Sequence, residues 1–122
     1  MRHYDDSYFL DMVYAKTQLF ESSLQQASVY FKALSHPARL AILKYLAESK
    51  ECITGELSNK LPLSRTTVNQ HLLELKNAGL LKSHSAQGRT YYCLDMAQIF
   101  IMHEALNAFT NTLLIGDYNC KP

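Results

Sequence analysis

Apolar positions recur at helical spacing from about residue 8 to residue 34, through Phe9, Val13, Phe20, Leu24, Ala27, Phe31 and Leu34. Met12, Leu19 and Tyr30 widen that stripe, which predicts a long first helix whose apolar surface needs a partner to cover part of it. Ser35-His36-Pro37 reads as a break and restart, because Ser caps helices well and Pro is tolerated in a first turn, where its missing N–H has no helical partner. Leu40, Leu43 and Leu46 carry the next helix to about Ala47. After the polar link Ser49-Lys50-Glu51, Ile53 opens an apolar stretch in which Thr54 can cap a short helix containing Leu57 and Leu61, closed by Pro62. Ser64 then caps a further helix with Val68, Leu72 and Leu75 on one stripe, and Gly79 supplies the left-handed residue that ends it. A short helix, a turn of about three residues and a second helix make a helix-turn-helix. Residues 82–84 and 89–95 read as two strands joined by the tip Ala86-Gln87-Gly88-Arg89, with Thr90, Tyr91 and Tyr92 giving strand propensity. Asp95 can cap a last helix in which Ile99, Met102, Leu106, Phe109 and Leu113 recur at spacings of three and four.

The side of the fourth helix opposite its apolar stripe carries Arg65, Thr66, Thr67, Asn69 and Gln70, whose donors and acceptors suit base edges and phosphates. The net charge of +1 is uninformative until it is divided along the chain. Residues 60–92 hold Lys60, Arg65, Lys76, Lys82 and Arg89 against Glu74 alone, a local balance of +4. Residues 1–34 balance at −1, 35–59 at zero and 93–122 at −2. Positive charge is thus concentrated on the segment already suspected of touching a polyanion, as an electrostatic footprint requires, although a solvated basic face gives the same sum. The competing reading is a winged-helix module that binds protein and has no specific DNA target. An enzyme is not supported: no nucleophile–base pair, clustered carboxylates or phosphate-cradling Gly-rich loop is visible, so no catalytic residue and no cofactor is assigned.

At 122 residues the chain fits one domain. No segment approaches the roughly 18 apolar residues of a membrane span, and the N-terminus carries Asp5, Asp6 and Asp11 where a signal peptide would be basic, so a cytoplasmic location is expected. Cys52, Cys93 and Cys120 are odd in number and far apart, which fits reduced thiols of structural or incidental role better than a disulfide framework, with a redox-sensing pair as the alternative. Tyr91 and Tyr92 point to opposite faces of a strand, one for the core and one as an amphipathic cover. His71 borders the buried stripe, where a structural or phosphate-facing role is expected; Arg39 can contact a phosphate or a carboxylate of the domain.

The order of elements and their motifs resemble the ArsR family of bacterial winged helix-turn-helix transcriptional regulators. FKALSHPARLAILKYL at residues 31–46 is similar to that family's second helix, LSRTTVNQHLLELKNAGLL at 63–81 to its recognition helix, and GRTYYCL at 88–94 to the second strand of its wing. The resemblance implies a homodimeric binder of double-stranded DNA that regulates transcription, as a repressor on a palindromic operator, pairing through its first and last helices. The expected fold is mainly α with a small β-ribbon, in the order α-α-α-α-β-β-α, as a single domain over residues 1–122. Residues 8–34 and 96–116 are then dimerisation helices and 35–95 the DNA-binding core and wing. DNA contacts are expected from Ser64, Arg65, Thr66, Thr67, Asn69, Gln70, Lys76, Gln87 and Arg89, and dimer contacts from Phe9, Val13, Phe20, Leu24, Met102, Leu106, Phe109 and Leu113.

One departure changes the expectation. Metal-sensing members of the family carry Cys-x-Cys before the recognition helix, where this chain has Ile53 and Gly55 with Cys52 standing nearby. Others place Asp-x-His early in the last helix and further His or Glu later, where Met96, Gln98, Phe109 and Thr112 stand here. His103 and Glu104 are sequence neighbours, which a helix directs to different sides. No metal ligand is therefore assigned, and neither an effector nor an operator sequence can be read from these residues.

Overall fold

The computed structural model describes residues 16–121. Helices α1 (Ser22–Ala33) and α2 (Pro37–Ser49) are followed by a 3-10 helix, η1 (Gly55–Lys60), and by α3 (Arg65–Asn77). Strands β1 (Leu81–Ala86) and β2 (Arg89–Leu94) form a hairpin, and α4 (Met96–Leu113) completes the chain. The expected order is present, with the third helix in the tighter 3-10 form. Between the cap at Thr54 and the proline at Pro62 only six residues are helical, too few to reward an α ladder with its costly first turn.

The first helix differs from expectation. A single helix over residues 8–34 is not what forms: Leu19 and Phe20 donate to the carbonyls of Lys16 and Thr17 in a turn, Glu21 is extended, and α1 begins only at Ser22. Gln25 Nε2 donates to the Phe20 carbonyl at 2.7 Å and holds the turn. Glu21-Ser22-Ser23 explains the break, since serines compete with the helical backbone and favour helix ends. Phe9 and Val13 lie outside the described residues. The cap of α2 also differs. His36 Nδ1 accepts from the Ala38 N–H at 2.9 Å, ahead of Pro37 in the first turn, while the Ser35 hydroxyl turns back to the Lys32 carbonyl. The last helix stops at Leu113 rather than near residue 116, where Gly116 has a positive φ of 77°.

The core forms where the helical stripes converge. Val68, Leu72 and Leu75 of α3 are fully buried with Ile42 and Leu80, and Tyr30, Ala33, Leu46, Leu57 and Leu81 complete the cluster. Fully burying such a side chain contributes about 1.5–3 kcal/mol, so this face fixes which side of α3 stays open. The helix ends as its sequence predicts: Gly79 at φ 86° lets its own N–H reach the Lys76 carbonyl and the Leu80 N–H reach that of Leu75.

Arg39 fastens three elements. Its Nε donates to the Ala33 carbonyl at 2.6 Å and its Nη2 to that of Lys32 at 3.2 Å, placing a cation on orphan carbonyls at the end of α1. Its Nη1 donates to His71 Nδ1 on α3 at 3.0 Å. Within the fold its partners are thus backbone carbonyls, an imidazole and the Ser35 hydroxyl rather than a carboxylate. His71 is 8 % exposed, and its ring lies 4.3 Å from that of His36, which gives it the structural role.

The hairpin is antiparallel, running from Leu81 opposite Leu94 to Ala86 opposite Arg89. Gln87 and Gly88, at φ 53° and 75°, form a two-residue turn of the kind whose twist matches paired strands. Arg89 is therefore the last paired residue, one step inside the tip. Tyr92 packs on the core, and Tyr91 stacks on His84 with ring centroids 5.5 Å apart, the division expected of strand neighbours.

A short lane runs along the free edge of β2. Ile53 and Tyr92 exchange both backbone hydrogen bonds, at 2.9 and 2.7 Å. Cys52 and Cys93 are the adjacent pair, with Cα atoms 4.5 Å apart, and they are joined in a disulfide. This corrects the expectation of three reduced thiols. The two cysteines are 41 residues apart in sequence, and only the pairing of β2 with residues 52–54 brings them together. Cys120 is free and exposed. Among the described residues no helix is long and apolar enough to cross a membrane.

Candidate nucleic-acid interface

The open side of α3 is built by its cap and its buried stripe. Ser64 Oγ accepts from the Thr67 N–H at 3.2 Å and starts the helix with its first turn facing outward. With Val68, Leu72 and Leu75 turned in, Arg65, Thr66, Asn69 and Gln70 are exposed. Thr67 is half-buried and its hydroxyl accepts from Ser64 at 3.0 Å, so Ser64 and Thr67 spend much of their polarity on the cap.

A groove of about 440 Å³ opens between the first half of α3 and the hairpin. Arg65, Asn69 and Arg89 line it together with Thr54, Gly55 and Thr90. Gly55 gives this groove its shape. A β-carbon there would run into the Asn69 carboxamide oxygen, so glycine leaves room for the Asn69 side chain in its present position. Thr66 and Gln70 stand on the same open helix outside the groove, and Gln87 occupies the wing tip. Lys76 is exposed on the last turn, about 16 Å along the axis from Arg65 at 1.5 Å per residue, and does not share this groove.

Glu56 is the residue that sequence reasoning missed. Its Oε1 lies 3.2 Å from Arg89 Nη1, with about half of each side chain exposed. Arg89 is thus paired with a carboxylate from the start of η1. An acidic residue just outside the basic segment was the available hint, but no spacing rule joins positions 33 residues apart.

Among the described residues no group of three or more His, Cys, Asp or Glu side chains could hold a metal ion. Ile53, Gly55, Met96, Gln98, Phe109 and Thr112 are the positions at which the resemblance would put the ligands of a metal-sensing member. None of them supplies a thiolate, imidazole or carboxylate, so these residues do not fit such a metal.

A third surface lies on α1 and α4. None of the 18 residues of α4 is buried, although Phe100 and Leu113 are each 64 % exposed and Ile101 40 %. Phe31 and Phe109 meet edge to face at 5.8 Å and join the two helices. An open, mainly apolar cavity of about 730 Å³ lies between them, lined by Leu24, Phe100, Ile101, Ala105 and Phe109 among others. Of the expected dimer residues, Phe20, Leu24 and Leu113 are exposed, whereas Met102 and Leu106 pack against the core of their own chain.

Comparison with known proteins agrees with this geometry. The family model of the arsR family of bacterial regulatory proteins matches residues 36–83, which hold α2, η1, α3 and the start of β1. The HTH-type transcriptional regulator YgaV of Escherichia coli is 37% identical over 93 residues, covering 76% of this chain and 87% of that protein. The transcriptional activator HlyU of Vibrio cholerae is 33% identical over 90 residues, covering 74% of this chain and 82% of that protein. A solved ArsR-like transcriptional regulator from Rhodococcus superposes with a TM-score of 0.64 at 23% identity, covering 76% of this chain and 87% of that one. The chain belongs to the ArsR family: it is a transcriptional regulator with a DNA-binding winged helix-turn-helix.

Proposed function

We propose that the chain acts in the cytoplasm as a homodimeric repressor, reading a palindromic operator with one α3 per half-site and without a metal effector bound at the family's usual positions. The observation that carries the dimer is α4, an 18-residue helix rich in large apolar side chains of which none is buried. An apolar face of that kind marks a protein–protein contact, and a second copy presents the same face. Phe20, Leu24, Phe100, Phe109 and Leu113 form the seam; Met102 and Leu106 support it from the core side.

Two symmetric readers call for two half-sites about one helical turn of DNA, or a multiple of it, apart. Thr66, Asn69 and Gln70 take base edges and nearby phosphates, because they are short or planar polar groups on the open side. Arg65, Arg89 and Gln87 hold the backbone beside the half-site, with Lys76 reaching more distant phosphate. Repression follows from occupancy, since a dimer seated on a promoter excludes the polymerase. The test is a gel shift on the chain's own promoter region with and without competitor DNA, paired with a reporter driven by that promoter. Specific retention and a reporter that rises on deletion of the gene are expected. No specific retention, or a reporter that falls, would contradict the reading.

A further inference from the structure

We propose that Cys52 and Cys93 form an exchange site for low-molecular-weight thiols and disulfides, through which the redox state of the pair sets the firmness of the wing and the affinity for DNA. This rests on the DNA-binding reading for its effect, but the exchange itself stands on the geometry of the pair.

The pairing of residues 52–54 with β2 places the two sulfurs side by side by backbone alone. Ile53 and Tyr92 exchange both N–H···O bonds, and Cys52 and Cys93 occupy the next opposed position, at the 4.5 Å Cα separation of a non-hydrogen-bonded antiparallel pair. The two Ile53–Tyr92 hydrogen bonds do not depend on the S–S bond, so on reduction they would keep the thiols poised to reclose. The pair is also accessible. Cys52 is exposed, and the two cysteines line an open cavity of about 420 Å³ with Lys50, Glu51 and Leu94.

The surroundings favour thiolate chemistry. His84 Nδ1 lies 3.9 Å from Cys93 Sγ, and Lys82 is the register partner of Cys93 on the same face of the hairpin. An imidazole within hydrogen-bonding reach of a sulfur can supply the proton that a departing thiolate takes up. A small thiolate attacks Cys52 Sγ, the Cys52–Cys93 bond breaks, and Cys93 departs as a thiolate that takes a proton from His84 or water. A second small thiol attacks its own kind in the mixed disulfide and frees Cys52. The net change is one protein disulfide and two small thiols to two protein thiols and one small disulfide, and the reverse restores the bond.

The bond also encloses the parts that matter for DNA. The chain between Cys52 and Cys93 contains η1, α3 and β1, so the disulfide closes a loop around the reading helix and its groove. Holding the wing to the lane beside η1 preorganises the two elements that meet DNA, and preorganisation raises affinity by lowering the ordering cost of binding. A DNA-binding protein works in the compartment of the chromosome, where mesophile disulfides are mostly transient and catalytic or redox-sensing.

The test uses the full chain with Cys120→Ser, equilibrated across ratios of reduced to oxidised glutathione. Thiol state is read by alkylation and mass spectrometry, wing protection by hydrogen exchange over residues 81–94, and affinity by gel shift on the promoter duplex. The expected result is reversible interconversion, a glutathione adduct on Cys52 when Cys93→Ser is added, lower wing protection in the dithiol form, and DNA binding by the disulfide form tighter by about fivefold or more, the lower end of ordinary coupling between sites. A pair that does not interconvert, equal wing protection in both states, or equal or tighter DNA binding by the dithiol form would overturn the proposal. If neither form binds the duplex, the operator reading fails instead, and mass and hydrogen exchange still decide the exchange site.

Discussion

Arg39 Nη1 lies 3.0 Å from His71 Nδ1, and a guanidinium can only donate, so that nitrogen must accept and cannot carry a proton. His71 is further held below the ordinary histidine value of 6.5 by burial first, then by His36 and the Arg39 charge, with Glu74 opposing. The unfolded chain therefore takes up this proton at a higher pH than the folded one. The stability contributed by a neutral His71 is complete above about 6.5 and is lost as pH falls through its lower folded value. Thermal melts between pH 7.5 and 5 should show a steeper loss in the wild type than in His71→Gln, whose carboxamide oxygen can still accept from Arg39. Parallel loss in the two proteins would show that this contact does not set the acid sensitivity.

Glu56 pairs with Arg89, and in the proposed complex it would compete with DNA for that cation. An exposed ion pair is worth about 0.2–1 kcal/mol, so Glu56→Gln should cost the fold little. It should tighten binding to operator and random DNA alike by about 1.5- to 5-fold per half-site, the fold-change of that same energy. Titrations on both duplexes at one salt concentration measure this. A weaker complex would mean that Glu56 positions Arg89 for DNA rather than withholding it.

Gly55→Ala tests the shape of the groove. Gly55 has no left-handed backbone to strain, and the added methyl collides chiefly with the Asn69 side chain, which is exposed and can move. The expected outcome is a near-native melting temperature with a reduced operator-to-random ratio, because Asn69 is displaced from its proposed reading position. Unchanged discrimination would remove Asn69 from the reading set.

Leu113→Asp should separate the protomers without unfolding them, since Leu113 is 64 % exposed within one chain. Phe109 is a poorer probe, because it also packs on Phe31. A charge in a central apolar contact costs about 2 kcal/mol or more, enough to raise the dimer dissociation constant more than tenfold. Sedimentation should show a monomer appearing at micromolar concentration together with loss of operator binding. A wild type that sediments as a stable monomer would defeat the seam on α1 and α4.

What could be read in the sequence is what depends on short-range pattern. Val68, Leu72 and Leu75 specified the buried face of α3 by spacing alone, and Ser64, Gly79 and Asp95 marked ends that the backbone observes because caps act within one turn. The break at Glu21 was missed because the apolar stripe continues across it while the local preference of two serines does not. Long-range pairs were invisible. Cys52 meets Cys93, Glu56 meets Arg89 and Arg39 meets His71 only after the helices and hairpin pack, and composition carries no trace of such partners. The open side of α3 was therefore legible, whereas the groove's shape at Gly55 and the latch on the wing were not.

The central claim divides reading from holding: Gln70 reads a base edge, and Arg89 holds the backbone beside it. Gln70→Ala and Arg89→Ala should be titrated on operator and scrambled duplexes at several salt concentrations. Gln70→Ala should cost about 1–3 kcal/mol per half-site on the operator alone, the worth of a bidentate base contact, and leave the salt slope unchanged. Arg89→Ala should weaken both duplexes evenly and reduce the salt slope by about one ion per chain. If Gln70→Ala leaves the operator-to-random ratio intact while Arg89→Ala abolishes it, the roles assigned to helix and wing are reversed.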